Sequence, residues 1–267
     1  MRGCGGPLER DERAARCPRG HSFDRAQSGY WNLLQPQDRR SSEPGDSAAA
    51  AQARRRLTDA GHLAPLFAAI GELLDEAGVG AGDSLLDVGC GEGSLLAELG
   101  PRRRLVAHGV DLSRPSIELA ARLWPEATWV IANADRALPY ADASFDGLLS
   151  ITSRLQPEEF RRVLAPSGAL ILAVPGADDL VELREALQGR GELRPRLEGA
   201  LSTFAALFDC TQQRRSLAWR LELDRAGLED LLASSYRGAR ATERTRFATL
   251  ERSTVTMSRD LALLVAK

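Results

Sequence analysis

Residues 84–99 constrain this chain more than any other stretch. An apolar run, Ser84-Leu-Leu-Asp-Val88, leads straight into a turn that carries Gly89, Gly91 and Gly93. The turn opens onto Ser94-Leu-Leu-Ala-Glu-Leu99, whose apolar spacing is helical. Glycines in such a turn allow positive φ and let a ligand approach the main chain with no Cβ in the way. The helix behind them points unpaired N–H groups and its positive dipole end across the turn. Strand, glycine turn and helix in this order predict a nucleotide-type site, for a ligand that carries a ribose and a negative group.

Three glycines at this spacing are weak evidence alone, because loops collect glycine. The following segments supply the context. A second apolar strand over residues 105–110 ends in Asp111, about twenty residues past the turn, where a carboxylate can accept hydrogen bonds from both hydroxyls of a ribose. A third, over residues 128–132, ends at Asn133-Ala134, within reach of an adenine edge. Leu138-Pro-Tyr140 and Ser144-Phe-Asp146 then lead to a fourth strand at 147–151. A helix near 157–164 and the turn Ala165-Pro-Ser-Gly168 lead to a fifth at 169–174. Strands alternating with helices predict an α/β fold on a parallel sheet.

Over residues 80–180 this order resembles the Rossmann-like methyltransferases that use S-adenosylmethionine (AdoMet). NAD-binding proteins are the competing class, and the form Asp87-x-Gly89-x-Gly91-x-Gly93 with the Leu-Pro-Tyr and Ser-Phe-Asp segments argues against them. The resemblance implies that Asp87 holds the methionine end of AdoMet and that Gly89, Gly91, Gly93, Ser94 and Leu95 wrap it. It implies that Asp111, with Leu112 beside it, takes the ribose, and that Asn133 and the Ala134 amide frame the adenine.

Composition narrows the remaining classes. At 43% hydrophobic and 27% charged the 267 residues can bury a full core, as one large domain or one with a small appendage. No apolar run reaches the eighteen or so residues of a membrane span and no signal peptide heads the sequence, so the expected compartment is the cytoplasm. A net charge of −2 gives no global attraction to nucleic acid. Lys267 is the only lysine, and arginines cluster at 54–56, 102–104, 161–162 and 214–215. A GC-rich genome explains the bias, although arginine forks also suit phosphate. The four cysteines, at 4, 17, 90 and 210, make no disulfide framework.

Cys4 and Cys17-Pro-Arg-Gly-His21 look like two halves of a zinc hairpin with Cys4, Cys17 and His21 as ligands. A tetrahedral structural site takes four ligands, and Pro7 stands where the second cysteine belongs; Glu9 or Asp11 would have to supply an oxygen instead. The competing reading is a metal-free fold held by Phe23, Tyr30, Trp31 and Leu33. A polar loop over residues 35–46 follows, then a helix capped at Asp46-Ser47 that runs to about Asp59, and another over 66–77.

The hairpin and linker resemble one family, the bacterial 23S rRNA guanine-N1 methyltransferases. The resemblance rests on Phe23-Asp-Arg-Ala-Gln-Ser-Gly-Tyr-Trp-Asn-Leu-Leu34, Gly45-Asp46-Ser47, Ala53-Arg54 and Asp59-Ala-Gly-His-Leu-Ala-Pro-Leu66, and covers residues 4 to about 185. It implies a Rossmann-like seven-stranded fold with a small N-terminal zinc-ribbon-like module at 1–34, a linker and helix at 35–65, and an AdoMet-dependent methyltransferase domain at 66–267. It also implies a 23S rRNA hairpin as substrate, and a homodimer. Departures are Pro7, Leu63 where a tyrosine usually stands beside the cofactor, Asp179 in place of a histidine, and Ile151-Thr-Ser-Arg154 in place of an Ala-Pro turn.

Guanine N1 carries a proton, so methylating it needs a base. Of Thr152, Ser153 and Asp179, only Asp179 is an ionisable base, and a helix-capping role explains it equally well. Tyr30, Trp31 and Trp219 offer stacking faces or core packing, and Arg54–Arg56 offer phosphate contacts or a solvated helix face. His108 is expected in the core. A terminal strand at 259–266 is expected to join the sheet edge antiparallel, partnered by residues 213–222. Two other functions fit the cofactor motifs: a small-molecule methyltransferase, and a catalytically weak AdoMet-binding RNA or assembly factor.

Overall fold

The structure is a computed structural model that describes residues 6–34, 44–189, 191–235 and 241–267. Cys4 and residues 35–43 of the expected polar loop lie outside the described residues. Three short strands, β1 (Glu9–Arg10), β2 (Ala14–Arg16) and β3 (Ser22–Asp24), form a small antiparallel sheet. Next, β4 (Trp31–Asn32) leaves it and pairs in parallel with the edge of the main sheet. The main sheet therefore has eight strands, the seven expected and one more from the N-terminal segment. Tyr30, Trp31 and Leu33 are buried, which is the packing role rather than a stacking surface.

The linker helix α1 (Ala48–Asp59) starts where its cap signal places it, with Ser47 Oγ accepting the Ala50 amide at 3.2 Å. The second helix, α2 (Ala64–Glu76), follows, with Pro65 in its first turn. From there β5 (Ser84–Val88), α3 (Ser94–Arg103), β6 (Val106–Asp111), α4 (Arg114–Leu123) and β7 (Thr128–Ile131) wind one half of the sheet. The other half is wound by β8 (Phe145–Ile151), α5 (Pro157–Val163) and β9 (Leu164–Pro175). The expected turn at 165–168 is a bulged extension of β9, with the register shifting between Phe145 and Gly147 of β8. Last come α6 (Val181–Gln188), α7 (Leu197–Phe204), β10 (Phe208–Asp224), α8 (Arg225–Ser235), α9 (Ala241–Ala248) and β11 (Arg252–Ala266).

Strand order is β10-β11-β9-β8-β5-β6-β7-β4, parallel from β9 to β4 with the last two strands antiparallel. Chain direction across the sheet reverses between β5 and β8, so a crevice opens outside the carboxyl ends there. Both faces are covered, and alternate residues serve opposite cores. Leu85, Leu149 and Ile171 join Ile70, Leu96, Ile117 and Trp129 on one side. Leu86, Leu148, Leu170 and Leu172 join Phe160, Phe204 and Phe208 on the other. The β10–β11 hairpin runs past β9, which pairs β11 only from Arg259 onward, and the overhang forms a third core with Leu57, Leu183, Leu187 and Leu231. That core roofs the crevice.

Gly109 in β6 shows how tightly the sheet and its helices meet. A Cβ there would overlap the Trp129 ring and lie 2.9 Å from Cys90 Sγ. Trp129 is fully buried, so it cannot swing away. Gly109→Ala is expected to cost about 2 kcal/mol through overpacking, read as a lower urea midpoint with unchanged slope.

Candidate functional site

The glycine turn is pinned to β6 by backbone bonds. The Gly89 and Cys90 amides both donate to Val110 O, at 2.8 and 3.2 Å. Gly89, Gly91 and Gly93 have φ of 78°, 57° and 79°, all left-handed, which is the conformation only glycine takes without strain. Gly93 is the N-cap of α3, seated against Trp129 and Ala120 beneath the turn. Asp111, at the tip of β6, faces the turn. Its Oδ2 accepts the Gly91 amide at 3.0 Å and its Oδ1 the Ser113 amide at 2.7 Å.

The linker closes over this end. Gly45 lies against the Ser113 backbone with φ of 88°, and Ser113 Oγ donates to Asp46 O at 2.7 Å. Arg54 of α1 reaches across the turn to Asp46 at 2.9 Å, to Glu92 at 3.7 Å and to Ser234 O at 3.2 Å. This explains Gly91, since a Cβ there would sit 2.9 Å from the Arg54 Nη1. Arg55 and Arg56 pair at the surface with Asp59 and Asp230, so each arginine of the run 54–56 is engaged by an acid of the same chain.

This end of the cleft is desolvated and negative. Asp87 and Glu92 are each 3% exposed, and Glu92, Asp46 and Asp111 lie around the guanidinium of Arg54. Burial, then the nearby Asp111 and Glu92 carboxylates, push the Asp87 carboxyl up to about 8. Burial also raises Asp111, while the Ser113 and Gly91 amides hold it down. A site of this kind favours a cation, which would restore the charge on Asp87.

The folded protein keeps a proton on Asp87 that the unfolded chain releases near pH 4, so this group's contribution is complete below pH 4 and is lost as pH rises through about 8. Asp87→Asn, which needs no proton, is expected to melt increasingly above the parent from pH 5 to 9 in ligand-free protein. Parallel melting curves for the two proteins across that range would contradict it.

The cleft holds about 940 Å³ and is lined by Leu63, Asp87, Gly89, Gly91, Ser94, Leu95, Asp111, Leu112, Asn133, Ala134 and Asp179. The chain thus gathers the residues expected for the cofactor and for catalysis in one place, except Gly93, which supports the turn from below. Asn133 Oδ1 accepts the Asp135 amide at 3.1 Å, fixing the end of β7. Thr152, with φ of 52°, and Ser153 follow β8, with Ser153 packed against Gly89. Asp179 caps no helix: its Oδ1 accepts the Ser258 amide at 2.9 Å and pairs with Arg259 at 2.6 Å. Trp219 donates to His62 O at 2.9 Å, a structural role. His108 is half-buried against Tyr140 and Phe145, and desolvation there, with Arg10 nearby, lowers it to about 4. Sequence reasoning missed the closing role of Arg54 and did not single out Glu92, although Glu92 lies within the glycine turn.

The N-terminal hairpin forms a tight knuckle. The Cys17 amide donates to His21 O, and Cys17 Sγ lies 3.2 Å from His21 Nδ1. Asp11 is committed to the Arg13 and Ala14 amides and to Arg16, so it is no oxygen ligand here. Among the described residues no three metal-binding side chains converge, and Pro7 offers no donor. Of the three expected zinc ligands, Cys17 and His21 come together in this knuckle, and Cys4 lies outside the described residues.

Two family models match: "Methyltransferase domain" over residues 85–168 and "RlmA, N-terminal" over residues 4–42. The 23S rRNA (guanine(748)-N(1))-methyltransferase of Streptomyces fradiae is 36% identical over 234 residues, covering 86% of this chain and 81% of that protein. A candidate 23S rRNA (guanine-N1)-methyltransferase of Micromonospora griseorubida is 38% identical over 202 residues, 69% of this chain and 68% of its own. Among solved structures, a chain of the complex between the Haloferax volcanii Trm112 methyltransferase activator and its candidate methyltransferase has a TM-score of 0.54 at 20% identity, covering 83% of this chain and 98% of that one. That likeness is of fold. The glycine turn, the carboxylate at the tip of β6 and the ribbon-like hairpin are thus parts of one known assembly, and the chain belongs to the family of the AdoMet-dependent 23S rRNA (guanine-N1)-methyltransferases.

Proposed function

We propose that this protein transfers a methyl group from AdoMet to N1 of a guanine in a 23S rRNA hairpin loop. What carries the reading is the match to the Streptomyces fradiae methyltransferase over 86% of the chain, together with a ribbon-like segment and linker that a general methyltransferase has no need of. The bound cofactor supplies an electrophilic methyl on a sulfonium. In this reading Asp87 and the turn from Gly89 through Gly93 to Ser94 and Leu95 hold its methionine end, with Leu63 alongside. Asp111 and Leu112 hold the ribose, and Asn133 with Ala134 frames the adenine. The desolvated negative end of the cleft suits such a cation.

The chain's own work is placement, because an in-line displacement needs nucleophile, carbon and sulfur in a row. Asp179 takes the N1 proton through Oδ2, since Oδ1 is held by Ser258 and Arg259. Residues 1–34 serve RNA recognition, the linker and helix at 35–65 join them to the cofactor domain, and residues 66–267 transfer the methyl group. Among the described residues no helix is long and apolar enough to cross a membrane. We place the protein in the cytoplasm, with its ribosomal substrate, as a homodimer that sedimentation would detect.

The test is methylation of unmodified 23S rRNA with labelled AdoMet, followed by primer extension, because methylation at N1 blocks Watson–Crick pairing and stops the copying enzyme. A single new stop at a guanine is the expected result. Label transfer to small acceptors and none to rRNA would replace this reading with a small-molecule one. AdoMet binding without turnover on either would leave a binding factor.

A further inference from the structure

The arginine clusters of the sequence are almost wholly spent on the protein itself. Arg102 and Arg103 pair with Glu98 and Asp75, Arg162 with Glu159 and Asp142, Arg214 with Glu198, and Arg215 with Glu72 and Glu76. Arg184 of α6 stands alone in sequence and differs from all of them. It is 6% exposed, lines the cleft, and its Nε and Nη2 are buried with no hydrogen-bond partner. Among the described residues no carboxylate pairs with it. The neighbouring acids are engaged elsewhere, Glu182 with Thr256 and Asp178 with Ser258. A buried guanidinium without a counter-charge is costly, and a chain that keeps one has a use for an anion beside it.

Its surroundings repeat the signal. Arg194 and Arg196, on the connection between α6 and α7, line the same end of the cleft and are exposed. Arg259 spends its Nη1 on Asp179 and Ser258 O, but its Nε is also buried without a partner. The cleft is therefore bipolar. Carboxylates crowd the β5–β6 end around Arg54, and arginines outnumber Asp179 at the β9 end. β9 lies two strands from β5, so the carboxyl ends of these two strands are roughly 10 Å apart.

We infer that Arg184, flanked by Arg194 and Arg196, grips a phosphodiester of the RNA strand next to the target base. The inference rests on the RNA reading above and adds to it a substrate subsite. A guanidinium fork matches two phosphate oxygens, and its Nε and Nη2 are the pair such a contact uses. The arrangement also places the backbone anchor on α6, the helix entered from the β9–α6 connection that carries Asp179. Anchoring the strand there sets where the base can fall.

The test uses RNA hairpins of the methylated loop in which single linkages around the target guanine are neutral methylphosphonates. Binding is read by fluorescence anisotropy, AdoMet affinity by calorimetry and stability by melting, for the wild type, Arg184→Met and Arg184→Lys. One linkage is expected to weaken wild-type binding about tenfold when neutralised. Arg184→Met is expected to bind the unmodified RNA about tenfold more weakly, to ignore that linkage, and to show a salt slope smaller by about one. Its AdoMet affinity stays within twofold, and it melts no lower than the wild type, because an apolar chain replaces a buried charge. Arg184→Lys keeps sensitivity to the linkage. Wild-type RNA affinity in Arg184→Met, or a loss confined to AdoMet, which would assign the anion to the cofactor's carboxylate, overturns the inference. Wild-type turnover on the unmodified hairpin, measured alongside, reports separately whether the guanine reading holds.

Discussion

Asp111→Ala is expected to weaken AdoMet binding a hundredfold or more while leaving the fold intact. The carboxylate accepts the Gly91 and Ser113 amides, at 3.0 and 2.7 Å, and so sets the shape of the turn as well as the charge beside it. Hydrogen bonds to a charged group contribute about 1.5–3 kcal/mol each. Losing a ribose contact of that kind on each hydroxyl amounts to about 3 kcal/mol, and about 1.4 kcal/mol is a factor of ten in affinity. Stability moves less, because two effects oppose. Two amides lose their acceptor, but a buried carboxylate beside Asp87 and Asp46 is also removed. Relief of that repulsion has its own signature: the pH dependence of stability assigned to Asp87 shifts to lower pH in Asp111→Ala. Calorimetry that finds AdoMet bound within threefold of the parent affinity would end the ribose assignment.

The parts of this site that were legible in the sequence are those fixed by local physics. The turn at Gly89, Gly91 and Gly93 announces itself because only glycine accepts those φ values, and Asp111 because a strand of known length must end there. The Ser47 cap was readable for the same reason. What escaped depends on partners far away in the chain. Asp179 read equally well as a base or a helix cap, yet its partners are Ser258 and Arg259, about 80 residues on, and no local rule selects them. Residues 54–56 left phosphate contacts and a solvated helix face equally open, and their acids, Asp46, Glu92 and Asp230, are brought up only by the fold. Arg184 carried no signal at all, since a buried charge is visible only once burial is known. Trp31 and Asn32 are too few to read as a strand alone, and they become one because β7 offers an open edge.

Asp179→Asn is expected to lower kcat about a hundredfold, the lower bound for removing a general base, with AdoMet affinity unchanged. The competing account makes Asp179 a strut. Its ion pair with Arg259 is nearly buried, with side chains 11% and 13% exposed, and ties the start of α6 to β11. Breaking such a pair by removing one partner typically costs about 3–5 kcal/mol, so a loss of activity alone would not separate the two. Arg259→Met separates them. If the pair acts only as a strut, the two single variants lose stability and kcat alike, and the double variant is no worse than either, as for any shared link. If Asp179 is the proton acceptor, Arg259→Met keeps most of its kcat per folded molecule, whereas Asp179→Asn and the double variant both lack it. Equal kcat in Asp179→Asn and the parent, at matched folded fraction, would remove Asp179 from the chemistry and leave it as the tie between β11 and the roof of the cleft.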